Sequence, residues 1–379
     1  MTNLVATEYY DEFLRYHKMA TWQQEHCNLG TTPHEDSPFN DDLMKHVHLY
    51  DVVNRRYAGF TQILLDLWYG KSEDHPYNHK MHGIRLPIAE EATGVHGVWS
   101  LSEWLYVFML HRLTGSGINY GKKHSGYHNT LLPEIIGLSI EQMAEKVQWS
   151  QSTFYTSVGY QFPAFPKPAR DFKRGGDFFL AVYAPVLARQ LADWLASGEK
   201  KDLREVGEWM FEWNRSRDLR AYKFQYAAVI ADIADFFPEL VNKDSHFFYG
   251  TNAVECLSYL FEKPKKMKPI QFLDNIMENI YEDTGSVPYD AEDIACDYIR
   301  WIESYVRPGH DYEHLDRDHV FSSHGISYHP YGRQRKHLEL GLVDSFNAIG
   351  VHPSDDYVLS RARMTVEEYQ GRVKDEQQT

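Results

Sequence analysis

Apolar positions recur at three- and four-residue spacing along most of this chain, and no stretch sustains strict alternation, so the pattern predicts helices rather than strands. Tyr9, Phe13, Leu14 and Tyr16 mark a first helix, ahead of a polar loop over residues 28–40. Leu43, Val47, Tyr50, Val53, Tyr57 and Leu64 predict a second over 41–69, followed by an aperiodic stretch, 70–97, rich in His, Pro and Gly. Leu101, Trp104, Leu105, Phe108 and Met109 then form a strong apolar face. Ser100 and Glu103 stand where a capping box would open that helix, and Gly115 lies just past its expected end. Ser139 and Gln142 repeat the signature before Ile140, Met143 and Val147. Further helices are predicted over 177–197 (interrupted at Pro185), 202–214, 219–237, 252–261, 269–281 and 291–305.

The expected architecture is therefore mainly α. It divides into an N-terminal helical region, 1–95, a helical core, 96–305, and an irregular C-terminal extension, 306–379, where glycine, histidine and charge are frequent. No internal repeat is present. Apolar residues at 43% and aromatics at 15% suit a globular chain with a sizeable core. Three separated cysteines, Cys27, Cys256 and Cys296, give neither a disulfide framework nor a zinc-ribbon spacing. With a polar, acidic start and no apolar run of membrane-spanning length, the expectation is a cytoplasmic protein with no membrane partner.

Charge complicates any reading that involves nucleic acid. A formal net charge of −15 opposes binding through phosphates spread over the whole surface. Basic residues nevertheless cluster at 167–174, 215–223, 263–268 and 333–336. Each run is either a solvated surface or part of one shared binding face.

Two segments have the composition of a chemical site. In the first, His111 and Arg112 end an apolar helix and run into Thr114, Gly115, Ser116 and Gly117, with Tyr127, His128 and Asn129 downstream. Glycines let backbone N–H groups approach a ligand closely, and Arg, His, Asn and hydroxyls converge as donors, as an anion or nucleotide site requires. In the second, Tyr222, Gln225, Tyr226, Val229 and Ile233 fall on one helical stripe, with Lys223 and Asp232 off it. Asp244-Ser245-His246 follows. The stripe can equally be a buried aromatic–aliphatic face, and Asp244 can equally cap the next helix.

In their order and separation these segments resemble the phage family of alpha-glutamyl/putrescinyl thymine pyrophosphorylases, also described as amino acid:DNA transferases. The resemblance rests on Arg112 with Thr114-Gly115-Ser116-Gly117, on Gly126-Tyr127-His128-Asn129, and on Ala221-Tyr222-Lys223 through Asp232 to Asp244-Ser245-His246. It covers roughly the central half of the chain. It implies a core like that of helix-hairpin-helix DNA glycosylases, although no Leu-Pro-Gly-Val-Gly hairpin precedes Tyr222. It implies displacement of the phosphate or pyrophosphate ester of activated 5-hydroxymethyluracil in phage DNA by an amine or amino acid, in the host cytoplasm during infection. The partners implied are DNA carrying a modified pyrimidine and a small amine, with no cofactor.

Arg112, the backbone of residues 114–117 and Lys223 would stabilise the departing phosphate. Asp244, His246 or His128 would accept the proton of the attacking amine. Tyr127 and Tyr222 would hold the extruded base while Asn129 and Gln225 read its edge, with Asp232 also in the substrate site. Two rival readings are a glycosylase-like base hydrolase, with Asp244 acting with water, and a non-catalytic helical DNA- or protein-binding module. His310, His314 and His319, interleaved with Asp311, Asp316 and Asp318, are the densest metal-type cluster. No His-Glu-x-x-His or Cys-x-x-Cys pattern accompanies them, and no metal is expected. Walker and dinucleotide-binding glycine motifs are likewise missing from the sequence.

Overall fold

A computed structural model describes residues 4–26, 59–70, 97–113, 135–149, 178–219, 223–224 and 226–301. These are mainly helical. In chain order they comprise β1 (Val5–Ala6), α1 (Glu8–His26), α2 (Gly59–Tyr69), α3 (Leu101–Leu113) and α4 (Ile140–Trp149). A π-helical turn (Phe179–Tyr183) then leads into α5 (Ala184–Ala196), β2 (Lys201–Asp202) and α6 (Leu203–Arg215). Last come α7 (Ala227–Phe236), β3 (Val241–Asn242), α8 (Thr251–Leu260), β4 (Phe261–Glu262), α9 (Pro269–Thr284) and α10 (Pro288–Trp301). No described helix is long and apolar enough to cross a membrane.

The chain forms two compact units, one of residues 58–248 and one joining 1–57 to 249–379. In the first unit α3 is the centre, with every residue from Trp104 to His111 buried and Leu113 with them. A helix apolar on all sides needs neighbours all round it, and α3 packs against α5, α7 and α4. Its rings make an aromatic cluster with neighbouring elements: Trp104 lies 4.7 Å from Trp68 and 5.1 Å from Trp99, and Phe108 lies 5.3 Å from Phe236. The capping signatures open their helices as expected. Ser100 N–H donates to Glu103 at 2.7 Å, and Ser139 N–H donates to Gln142 at 2.9 Å.

Pro185 does not break its helix. It has no N–H to give to the turn before it, and the chain widens there into a π turn in which Ala184 N–H bonds to the Phe179 carbonyl. In that i→i+5 pattern the Leu180 carbonyl would look to residue 185, which has no hydrogen to offer. The buried Tyr106 hydroxyl of α3 donates to it instead at 2.9 Å. Burial pushes the Tyr106 phenol well above its ordinary range, so it stays a donor.

The expected helix over 219–237 is shorter than its pattern suggested. Asp218 takes a left-handed conformation (φ 55°) and closes α6, with Leu219 N–H bonded back to the Asn214 carbonyl at 3.1 Å. Lys223 and Phe224 lie in a turn, Ala227 N–H bonds to the Phe224 carbonyl, and α7 begins only at Ala227. Tyr226 is buried just ahead of it, where its hydroxyl accepts from Asn214 Nδ2 at 3.0 Å. Of the stripe, Tyr226 lies in a turn and Val229 and Ile233 lie in α7, while Tyr222 and Gln225 lie outside the described residues.

In the second unit, Phe13 and Tyr16 of α1 pack with Leu257 of α8, Ile276 and Ile280 of α9, and Ile294 and Tyr298 of α10. A two-residue antiparallel bridge pairs Val5 with Glu262 and Ala6 with Phe261. Gly285, at φ 74°, ends α9 in the left-handed conformation that glycine adopts without a Cβ penalty. Just past it, the buried Ser286 hydroxyl meets His17 Nε2 of α1 at 2.8 Å.

Candidate functional site

Among the described residues, the structure brings together Arg112 and Asp232, both singled out by sequence. Arg112, in the last turn of α3, forms a two-pronged ion pair with Asp232 of α7. Nε donates to Oδ2 and Nη2 to Oδ1, both at 2.7 Å. Nη2 also donates to the Thr61 hydroxyl of α2 at 2.9 Å. The side chains of Arg112 and Asp232 are only 9% and 0% exposed, and Thr61 is buried with them. Three helices therefore meet at one charge pair. Because Arg112 is opposite Asp232 while Phe108 is opposite Phe236, α7 runs antiparallel to α3.

This geometry sets what Arg112 can do. Its Nε and Nη2 hydrogens are committed to protein acceptors, and its charge is balanced within the fold. A guanidinium matches a carboxylate through a planar fork, so the pair fixes the direction of the α3 end to within a hydrogen bond. Thr114 lies two residues further along the chain. Thr114, Gly115, Ser116, Gly117, Tyr127, His128 and Asn129 lie outside the described residues, as do Tyr222, Gln225 and the His310–His319 cluster.

Lys223 is not part of that assembly. Its ammonium pairs with Glu208 on α6 and stands 5.2 Å from the centre of the Phe248 ring and 5.8 Å from that of Phe211. The segment carrying Phe247 and Phe248 can lie flat on α6 because residue 207 is glycine. A Cβ there would come within 2.9 Å of the Phe248 ring and 3.3 Å of Phe247. Arg204, one turn earlier, donates to the Phe247 carbonyl at 2.8 Å.

Asp244 is exposed in the turn after β3, beyond the C-terminal end of α7, and its N–H donates to Asn242 Oδ1 at 3.3 Å. It caps no following helix, because α8 starts behind Gly250, whose N–H goes to the buried Glu292 at 2.9 Å. The capping expected of this run is performed by its second member and on an earlier helix. Ser245 Oγ accepts from Leu203 N–H, the first of α6, at 2.8 Å and donates to the Asn242 carbonyl at 2.6 Å. His246 is half-buried beside it.

Among the described residues the candidates thus fall into two groups. Arg112 and Asp232 lie in the interior between α2, α3 and α7. Lys223, Asp244 and His246 lie along α6 and at its N-terminal end. No family model matches this chain, and no curated protein and no solved structure matches it. Sequence reading missed Thr61, Glu208, Phe211 and Phe248. Glu208 and Phe211 carried a usable signal, since with Arg204 and Arg215 they form a three-and-four-spaced face on α6 that is charged and aromatic rather than aliphatic.

Proposed function

We propose that this protein is an amine:DNA transferase, replacing the phosphate or pyrophosphate ester of activated 5-hydroxymethyluracil with an amine or amino acid. The observation that carries the reading is the Arg112–Asp232 pair. It joins, across 120 residues of sequence, the two segments on which the resemblance to the phage transferases rests. The pair supports treating the two segments as parts of one unit, since it ties the end of α3 to α7 in the interior.

In this reading Arg112 is a positioning residue. The clamp holds the root of the Thr114–Gly117 loop, whose backbone N–H groups receive the ester oxygens as negative charge builds on them. The neutral amine nitrogen attacks the exocyclic methylene carbon. A C–N bond forms as the C–O bond breaks, and the electron pair leaves on the phosphate or pyrophosphate. The proton lost from nitrogen passes to a carboxylate or imidazole, for which Asp244, His246 and His128 are the candidates. The base is held out of the stack between Tyr127 and Tyr222.

The test is incubation of the protein with DNA bearing pyrophosphorylated 5-hydroxymethyluracil and a mixture of amines, followed by digestion and mass analysis of the nucleosides. A nucleoside carrying the amine on its methylene supports transfer. Release of free base points to glycosidic hydrolysis instead, and unchanged substrate rejects both.

A further inference from the structure

Along the outer face of α6, cations and rings alternate, with Glu208 and Glu212 paired to two of the cations. The Arg204 guanidinium lies 5.8 Å from the Phe248 centroid, the Lys223 ammonium lies 5.2 Å from Phe248 and 5.8 Å from Phe211, and the Arg215 guanidinium lies 5.6 Å from Phe211. Both rings are half-buried, and the Lys223 and Arg215 side chains are exposed. We propose that this strip, Arg204–Phe248–Lys223–Phe211–Arg215, seats an unpaired strand of nucleic acid, its phosphates on the cations and its bases against the rings.

From residue 204 to residue 215 the helix advances roughly 16 Å, which spans several phosphate spacings of a strand. Sequence-tolerant strand binding uses these two elements, a positive track and aromatic faces on which bases stack. A duplex keeps its base faces inside and would leave the rings unused. An acidic peptide would pair with the cations and also leave the rings without partners.

Glu208 and Glu212 hold Lys223 and Arg215 in the empty strip. Exposed pairs of this kind contribute only about 0–1 kcal/mol, so a phosphate can replace either carboxylate at little cost. The strip gathers three cations, two of them held by exchangeable carboxylates, on one face of a chain whose net charge is −15. The inference rests on the transferase reading only in that a DNA substrate would supply the strand.

The experiment is fluorescence anisotropy of the full chain with a labelled oligothymidine across a salt series, with the matching duplex and polyglutamate as alternative ligands. Binding of the single strand is expected to exceed that of the duplex, and polyglutamate should compete poorly. Phe211→Leu should weaken binding about five-fold or more at each salt concentration, leaving the salt slope unchanged. Arg215→Gln should lower the log–log salt slope by about 0.7. Phe248→Leu tests the second ring. If it unfolds because of the tight packing on Gly207, Phe211→Leu and Arg215→Gln still decide the matter. Wild-type affinity in folded Phe211→Leu, equal duplex binding or efficient displacement by polyglutamate would each overturn the proposal. The assay contains no amine and no activated base. Strand binding without transfer therefore refutes the transferase reading alone, and transfer without strand binding refutes this one alone.

Discussion

Arg112–Asp232 and Lys223–Glu208 are the same kind of contact in the same unit, yet their surroundings make them different devices. The first is 9% and 0% exposed, two-pronged, and supported by a threonine hydroxyl from a third helix. The second is 46% and 42% exposed, and its cation lies between two phenyl rings. Water screens the second and leaves it exchangeable, whereas the first has no solvent to fall back on if one partner is lost. A buried pair suits a joint that must not move, and an exposed pair suits a surface that must release its carboxylate when a better anion arrives. His17 of the other unit adds a third case. It is buried against a hydroxyl rather than a carboxylate, so its neutral form is favoured and its pKa is lowered to about 4, by burial first and by nearby Lys18 second.

The largest effect should come from breaking the buried joint. Asp232→Ala leaves the Arg112 guanidinium without its counter-charge in the interior, a loss of about 3–5 kcal/mol. Urea unfolding of the full chain, followed by tryptophan fluorescence, should show the unit built on α3 melting far earlier than in the wild type. The equivalent change at the surface, Glu208→Gln, should move the same midpoint by no more than about 1 kcal/mol. Equal shifts in the two variants would erase the distinction between the pairs.

The histidine sharpens the comparison through pH. With a folded pKa near 4 and an ordinary value of 6.5, the unfolded chain takes up the proton first as pH falls. Stability should therefore decline between about pH 6.5 and pH 4 by on the order of 3 kcal/mol, then level off. His17→Gln removes this component, so the difference between wild type and variant across that window isolates it from the carboxylates. A wild-type profile parallel to that of His17→Gln would contradict a neutral buried imidazole.

Much of the helical frame could be read from the sequence because its signals are local. The boxes at Ser100–Glu103 and Ser139–Gln142, the proline at the start of α9 and Gly285 at its end each act within a turn of the residue that encodes them. The misreadings have non-local causes. Pro185 predicts an interruption, but Tyr106, 74 residues away from Leu180, supplies the missing donor and a π turn results. The stripe predicts a helix over 219–237, but α7 begins only at Ala227, with Tyr226 in a turn where its hydroxyl bonds to Asn214. Ser245 sits in a run that looks like the cap of the next helix, yet its hydroxyl accepts from Leu203 N–H at the start of α6, 42 residues earlier in the chain. For the candidate site, sequence picked out both Arg112 and Asp232 without indicating that they were partners. Thr61 carried no signal, because its role depends on where α2 lies in space.

The most direct test of the central claim, that the buried clamp joins the two motif segments into one transfer site, is the rate of amine incorporation by Asp232→Asn. This variant keeps the shape of the side chain and removes its charge. It should be assayed on pyrophosphorylated 5-hydroxymethyluracil DNA at a temperature where circular dichroism shows it folded. Misplacing a reacting group by about 1 Å can cost on the order of 10²-fold in rate. The account predicts a loss of that size in amine-bearing nucleoside, with the helical signal retained. Incorporation at the wild-type rate by the folded variant would contradict it.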